Sequence, residues 1–366
     1  MSGTNPSSRA KSHAVRLAVS AALGLAPLAI SNPAHAGAIG IGTTWIEYTG
    51  AMQSYSLTYG GTYVFSAYGA DGGAGGGTGG GAGGAGALVT AEFSFAAGTE
   101  LEFYVGGEGS NGAFGPVSGS GGGGGGGSFL YVQTALNPFL LLAAGGGGGG
   151  GGLSGNSTIH VNGGIGGAGD GSFTRLVPPG TGGLAGAYSG GGGAGASFTA
   201  QGKYSGPNGS NALNNASTGG IGGKYTFAGG AGGVGTAPPS ACAFAGGGGG
   251  FGGGGGGGGG CGAGGGGGGG YYGGSGGNGA GFTGAAGGGH GGWSYVSNQA
   301  LATNLHYFAG GNNVTSGNGV ITITLLTPPP TRAPEFDPLY AMSGLTLLFG
   351  GIVVLRGRRT GQNLTT

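Results

Sequence analysis

Between Gly246 and Gly270 the chain reads GGGGGFGGGGGGGGGCGAGGGGGGG, and glycine supplies 113 of its 366 residues. Each glycine gives up more backbone freedom on folding than any other residue. A chain that keeps so much of it either stays disordered or uses the missing Cβ to bring backbones into contact. Disordered chains are poor in apolar residues and rich in net charge. This one is 37% hydrophobic and only 5% charged, with a net charge of +1. Charge repulsion cannot hold it apart in water, so its apolar residues are expected to collapse into a core. Collagen is excluded, because its triple helix needs strict Gly-X-Y with abundant proline, whereas the runs here are unbroken and proline-free.

Segments between the runs alternate with a period of two, the mark of half-buried strands. In residues 61–68, Tyr63, Phe65 and Ala67 share a face; in 88–95, Val89, Ala91, Phe93 and Phe95 do; in 99–105, Leu101, Phe103 and Val105 do. Ala96-Ala97-Gly98 between the last two is expected to turn a hairpin. Residues 129–133 and 139–144 are more uniformly apolar, as strands buried on both faces would be. Residues 320–326 close the set. The expected fold is all-β, a jelly-roll-like β-sandwich. Flexible linkers are one reading of the glycine runs. The other is a bundle of extended left-handed helices of the polyproline II type, in which a nine-residue run would make a rod of ~28 Å.

The two ends read as addresses. Residues 1–36 carry Arg9, Lys11 and Arg16, an apolar stretch from Leu17 to Ile30, and Ala34-His35-Ala36. That is the layout of a secretory signal peptide, and the exported chain is expected to begin at Gly37. At the other end, residues 327–338 form a Pro-rich linker, residues 339–355 an apolar run at the lower limit of a bilayer span (~17 residues), and residues 356–366 a basic tail. The positive-inside rule places such a tail in the cytoplasm. Pro334-Glu335, the single apolar run and Arg356, Arg358 and Arg359 together resemble bacterial PEP-CTERM sorting signals. The resemblance implies an exosortase-like processing peptidase as partner and the membrane as a temporary anchor point. An ordinary C-terminal anchor is the alternative. In either case the body, residues 37–326, lies outside the cytoplasmic membrane, at the cell surface, in the envelope or extracellular.

The body's charges are Glu47, Asp71, Glu92, Glu100, Glu102, Glu108 and Asp170 against Arg175, Lys203 and Lys224, a net of −4. Such a surface offers no footprint for nucleic acid. His160, His290 and His306 are scattered and lack the convergent acids that a zinc site or a catalytic triad requires. Matches to G-x-G-x-x-G arise by chance in polyglycine, and no βαβ unit surrounds them. No catalytic residue, cofactor or metal ligand is assigned, and the chain is expected not to be an enzyme. Cys242 and Cys261 are the only cysteines. In an exported segment they are expected to form a disulfide, free thiols being the alternative.

The order of the segments resembles the glycine-rich extracellular domain of the anaplastic lymphoma kinase and leukocyte tyrosine kinase receptors. The matching stretches are Tyr63–Ala70, Leu101–Gly106, Gly121–Gly127 with Ser128-Phe129, Leu140–Ala144 before Gly145, and Gly250-Phe251-Gly252 through Cys261 to Tyr271-Tyr272-Gly273-Gly274. The resemblance implies a β-sandwich fused to a bundle of polyglycine II helices that takes part in ligand recognition. It agrees with the disulfide, since Cys261 ends a glycine run as in that family. No kinase portion accompanies it, so receptor signalling does not carry over.

For function, the expectation is an exported, non-enzymatic structural or adhesive protein of the surface or extracellular matrix. The alternative is a surface module that recognises a protein or glycan such as an exopolysaccharide. Tyr271, Tyr272 and Trp293 are its candidate contacts, with sealing of the glycine bundle as their competing role. Ice binding would need a regular Thr or Ala row on a flat face, and none is legible in the sequence.

Overall fold

A computed structural model describes residues 36–114, 119–134, 138–156, 159–161, 192–196, 229, 245–279, 285–297, 303–310 and 317–326. All regular structure among them is β. The strands are β1 (Ala36–Ile39), β2 (Thr43–Glu47), β3 (Gln53–Leu57), β4 (Gly61–Tyr68), β5 (Leu88–Phe95), β6 (Glu100–Tyr104), β7 (Ser128–Val132), β8 (Phe139–Ala144), β9 (Ser154–Asn156), β10 (Ile159–Val161), β11 (Tyr295–Val296), β12 (Thr303–Phe308) and β13 (Val320–Leu325). One sheet runs β1-β3-β6-β7-β8-β11 and a second β12-β5-β4-β13-β2, while β9 and β10 pair only with each other.

Alternation decides which face of each sheet is buried. Tyr63, Phe65 and Ala67 of β4, Val89, Ala91 and Phe93 of β5, and Ile321 and Ile323 of β13 join one core cluster. Leu101 and Phe103 of β6, Leu130 of β7 and Leu141 and Leu142 of β8 join the same cluster from the other sheet. Both Leu141 and Leu142 reach it because the β7–β8 register slips between Leu130 and Tyr131. Tyr63, Phe65, Phe93 and Phe103 are fully buried, each contributing about 1.5–3 kcal/mol relative to an exposed ring. Strands β7 and β8 are buried along nearly their whole length, as their apolar sequences require.

Ala96-Ala97-Gly98 does not turn a hairpin. Strand β5 pairs with β4 and β12, whereas β6 pairs with β3 and β7. The turn instead carries the chain from one sheet to the other, with Gly98 at φ 78°. Both strands then direct their apolar alternates, Phe93 and Leu101, into one core.

The glycine tracts continue the strands. Segment 69–76 follows β4, 80–87 precedes β5, 105–113 follows β6, 119–127 precedes β7, 145–153 follows β8, and 285–293 leads to β11. Their backbone hydrogen bonds repeat every third residue. Gly122 and Gly125 donate to Gly150 and Gly147; Gly123 and Gly126 to Ser110 and Gly107; Gly121, Gly124 and Gly127 to Gly258, Gly255 and Gly252. The same segment accepts from Gly73 and Ala70, from Gly247 and Gly250, and from Gly266 and Gly269. Segment 120–127 is therefore ringed by six others, 70–76, 107–113, 147–150, 247–250, 252–258 and 266–269, and its backbone groups are paired as burial demands.

Glycine is needed here for closeness. The tract interiors 121–127, 145–152 and 264–270 contain no positive φ; positive values fall at turns between segments, as at Gly77 (93°), Gly252 (97°) and Gly260 (97°). A Cβ on Gly124 would lie 2.5 Å from the Gly267 carbonyl carbon and 2.9 Å from the Gly268 nitrogen. Segments at the edge of the assembly carry side chains every third residue, pointing outward: Ala82 and Ala85, Asp71 and Ala74, Glu108 and Asn111 are all exposed or half-buried.

Candidate functional site

Segment 263–270 ends at Tyr271-Tyr272, and segment 285–292 ends at Trp293 just before β11. Two backbone hydrogen bonds lock these ends together, Tyr271 N–H to the Trp293 carbonyl and Trp293 N–H to the Tyr272 carbonyl, both at 2.8 Å. Gly270 permits the approach, since a Cβ there would stand 2.6 Å from the Trp293 oxygen. The expected contact residues Tyr271, Tyr272 and Trp293 are thus brought into one cluster. Tyr271 stacks on Tyr295 (4.1 Å, 11°) and meets Tyr272 edge-on (4.8 Å, 72°), and Tyr272 meets Trp293 edge-on (6.4 Å, 85°). Offset-stacked and edge-to-face pairs each contribute about 0.5–1.5 kcal/mol beyond area burial.

The cluster is anchored on the outer face of the six-stranded sheet. Tyr271 and Tyr295 pack with Tyr104 against Phe129, Tyr131, Leu140 and Ala143. Phe129 and Tyr131 are only 2% and 6% exposed, so this face is covered. Beside them Gln133 Nε2 donates to Glu102 Oε1.

Burial governs the electrostatics. Desolvation pushes the Tyr131 phenol far above its ordinary value, with Tyr104 and then Glu102 adding to it. Tyr271 is raised by desolvation, then by Tyr295 and Tyr272; Tyr272 is raised by desolvation alone. These phenols stay protonated at neutral pH, so they offer ring faces and O–H groups. The half-buried rings of Tyr271, Tyr272, Trp293 and Tyr295 close the junction between the glycine segments and the sheet. That arrangement can stack against a flat or C–H-rich surface through the parts of Tyr272 and Trp293 that remain in water.

Cys261 is disulfide-bonded. It sits in the turn between segments 254–258 and 263–270, flanked by Gly260 and Gly262 with φ of 97° and 62°. Cys242 lies outside the described residues, as do Pro334, Glu335, Arg356, Arg358, Arg359, the apolar run 339–355 and residues 1–35. No helix among the described residues is long and apolar enough to cross a membrane. Among them, no group of three or more His, Cys, Asp or Glu converges as a metal site, and His290 and His306 stand on separate elements.

Tyr104, Phe129, Tyr131 and Tyr295 complete the aromatic cluster but do not stand out in the sequence. Their one signal is alternation: Glu102 and Tyr104 occupy the face of β6 opposite Leu101 and Phe103, and register sets Tyr104 beside Phe129. Neither a protein-family profile nor a curated protein sequence matches the chain.

Proposed function

We propose that the protein is an exported, non-catalytic structural or adhesive component of the cell surface or extracellular matrix. In this reading its body is a β-sandwich fused to a bundle of polyglycine II helices. The observation that carries it is the three-residue repeat of hydrogen bonds through the glycine segments, linking segment 120–127 to six neighbours. Three residues per turn is the period of the polyproline II helix. Such a bundle is a stiff spacer made without large side chains, and the disulfide at Cys261 suits it to an oxidising compartment.

Residues 1–36 and 334–366 supply the addresses, and the exosortase-like partner follows from the second. Deleting residues 334–366 and fractionating the cells tests this. The deletion should shift the protein from the envelope or surface into another fraction, and unchanged localisation would refute the sorting role. A second reading, a recognition module, is favoured by the half-buried pair Tyr272 and Trp293. Tyr272→Ala should then reduce capture of a protein or glycan ligand while leaving localisation unaltered.

A further inference from the structure

We propose that the outer face of the five-stranded sheet, centred on Trp45, binds an uncharged polysaccharide chain. This site is separate from the Tyr271–Tyr272–Trp293 cluster and goes beyond the structural role.

Register carries the inference. Trp45 pairs with Thr322, Thr322 with Ser66, Ser66 with Thr90 and Thr90 with His306. This rank crosses all five strands, a track of ~19 Å at ~4.8 Å per strand. A second rank, one strand repeat along, reads Thr43, Thr324, Val64, Glu92, Thr303. Every residue of both ranks is exposed or half-buried. The outer face of the six-stranded sheet is covered over Phe129 and Tyr131, so the two sheets differ in what they present to water.

Trp45 is 50% exposed and has no ring partner among the described residues. Its cross-strand neighbour is Thr322, a β-branched partner that supports one side of the indole while half of the tryptophan stays in water. On the same face lie hydroxyls paired across strands: Thr43 with Thr324 (2.9 Å) and Ser66 with Thr90 (3.0 Å) in the two ranks, and Thr62 with Ser94 (2.9 Å) one rank farther along. A hydroxyl has one proton and two lone pairs. Each pair spends one proton internally, which leaves one proton and further lone pairs directed to solvent. Glu92 accepts from Thr303 Oγ1 at 3.1 Å and keeps acceptor capacity, and Glu47 extends the acidic edge.

These groups select the ligand class. A sugar ring offers a C–H face to an indole, and its hydroxyls both donate and accept. Charge excludes anionic polymers: the face holds Glu47 and Glu92, and no Lys or Arg occurs among the described residues. A protein partner would want a contiguous apolar patch; the neighbouring rank places Tyr68, Leu88 and the exposed Phe308 toward the far edge of the sheet, whereas Trp45 itself is flanked by Thr43, Glu47 and Thr322.

The test uses the whole exported protein in affinity electrophoresis with hydroxyethyl cellulose, glucomannan and dextran, and alginate as the anionic counterpart. At least one neutral polymer should retard the protein, and alginate should not. Trp45→Ala should weaken retardation at least tenfold, Trp45→Phe should restore most of it, and Thr322→Val should weaken it several-fold. Phe114→Ala, at an exposed apolar residue elsewhere, should change nothing. Matched circular dichroism spectra establish that the variants are folded; because Thr322→Val keeps the side chain's shape, it tests the face even if Trp45→Ala unfolds. The proposal is overturned if no neutral polymer retards the protein, if Trp45→Ala binds as well as the parent, or if Tyr272→Ala abolishes binding instead. Thermal hysteresis lost in Thr322→Val, without polysaccharide binding, would assign the face to ice and also overturn it.

Discussion

Replacing Gly124 by alanine adds one methyl group at the centre of the glycine assembly. Its Cβ would stand 2.5 Å from the Gly267 carbonyl carbon and 2.9 Å from the Gly268 nitrogen, well inside van der Waals contact. Backbone cannot rotate away as a side chain can, so segments 120–127 and 263–270 must separate by about 1 Å. Overpacking of this kind costs about 1–3 kcal/mol. Separation also strains the bonds from Gly124 N–H to Gly255, from Gly250 N–H to Gly124, and from Gly266 and Gly269 N–H to Gly122 and Gly125. A buried backbone group left unpaired costs about 1–3 kcal/mol. Against this, alanine restricts the unfolded chain and returns about 0.4–1 kcal/mol. The net expectation is a loss of roughly 1–5 kcal/mol. Gly40→Ala is the control, because nothing lies within 4 Å of its Cβ position, and it should change stability by under about 0.5 kcal/mol. Guanidinium unfolding of both oxidised variants measures the difference. Equal midpoints for Gly124→Ala and Gly40→Ala would refute the close-packed reading.

Two further outcomes are expected. The Tyr131 phenol is raised in the folded protein by desolvation first; an acid whose folded pKa is raised stabilises the fold below its unfolded value and loses that contribution as pH climbs above it. Stability should therefore fall above about pH 10, and Tyr131→Phe should flatten that fall in pH-dependent thermal melts. Reducing the disulfide at Cys261 should cost about 3 kcal/mol if the closed loop is that between Cys242 and Cys261, visible as a lower denaturation midpoint in reductant; an unchanged midpoint would remove the bridge from the stability of the bundle.

The longer strands were legible because alternation survives in them: Tyr63, Phe65 and Ala67, or Ile321 and Ile323, could only face one side. Strands β1, β2, β3 and β12 were not. Gln53–Leu57 reads Q-S-Y-S-L, with apolar residues too few to mark a face, and it is a strand because β1 and β6 lie beside it. In β12 the register shifts between Thr303 and His306, and Asn304 sits at φ 49°, a bulge that destroys the period. The hairpin expected at Ala96-Ala97-Gly98 failed because a two-residue period cannot say which sheet a strand joins.

The glycine assembly left a trace that composition alone hides. Ala82 and Ala85, Asp71 and Ala74, and Glu108 and Asn111 recur at a spacing of three, the outward positions of edge segments, while the unbroken runs mark interior ones. Of the aromatic cluster, Tyr271, Tyr272 and Trp293 stood out against glycine. Tyr295 and Tyr131 joined only through long-range register. The Trp45 face was invisible for the same reason, since its ranks draw one residue from each of five distant strands.

Site-resolved amide hydrogen exchange across residues 121–127 bears most directly on the account. If the tract lies inside a hydrogen-bonded lattice, the amides of Gly122 to Gly126 should exchange as slowly as those of β4 and β8, by global unfolding. Exchange at the rate of an unstructured glycine peptide, with β4 and β8 still protected, would contradict it.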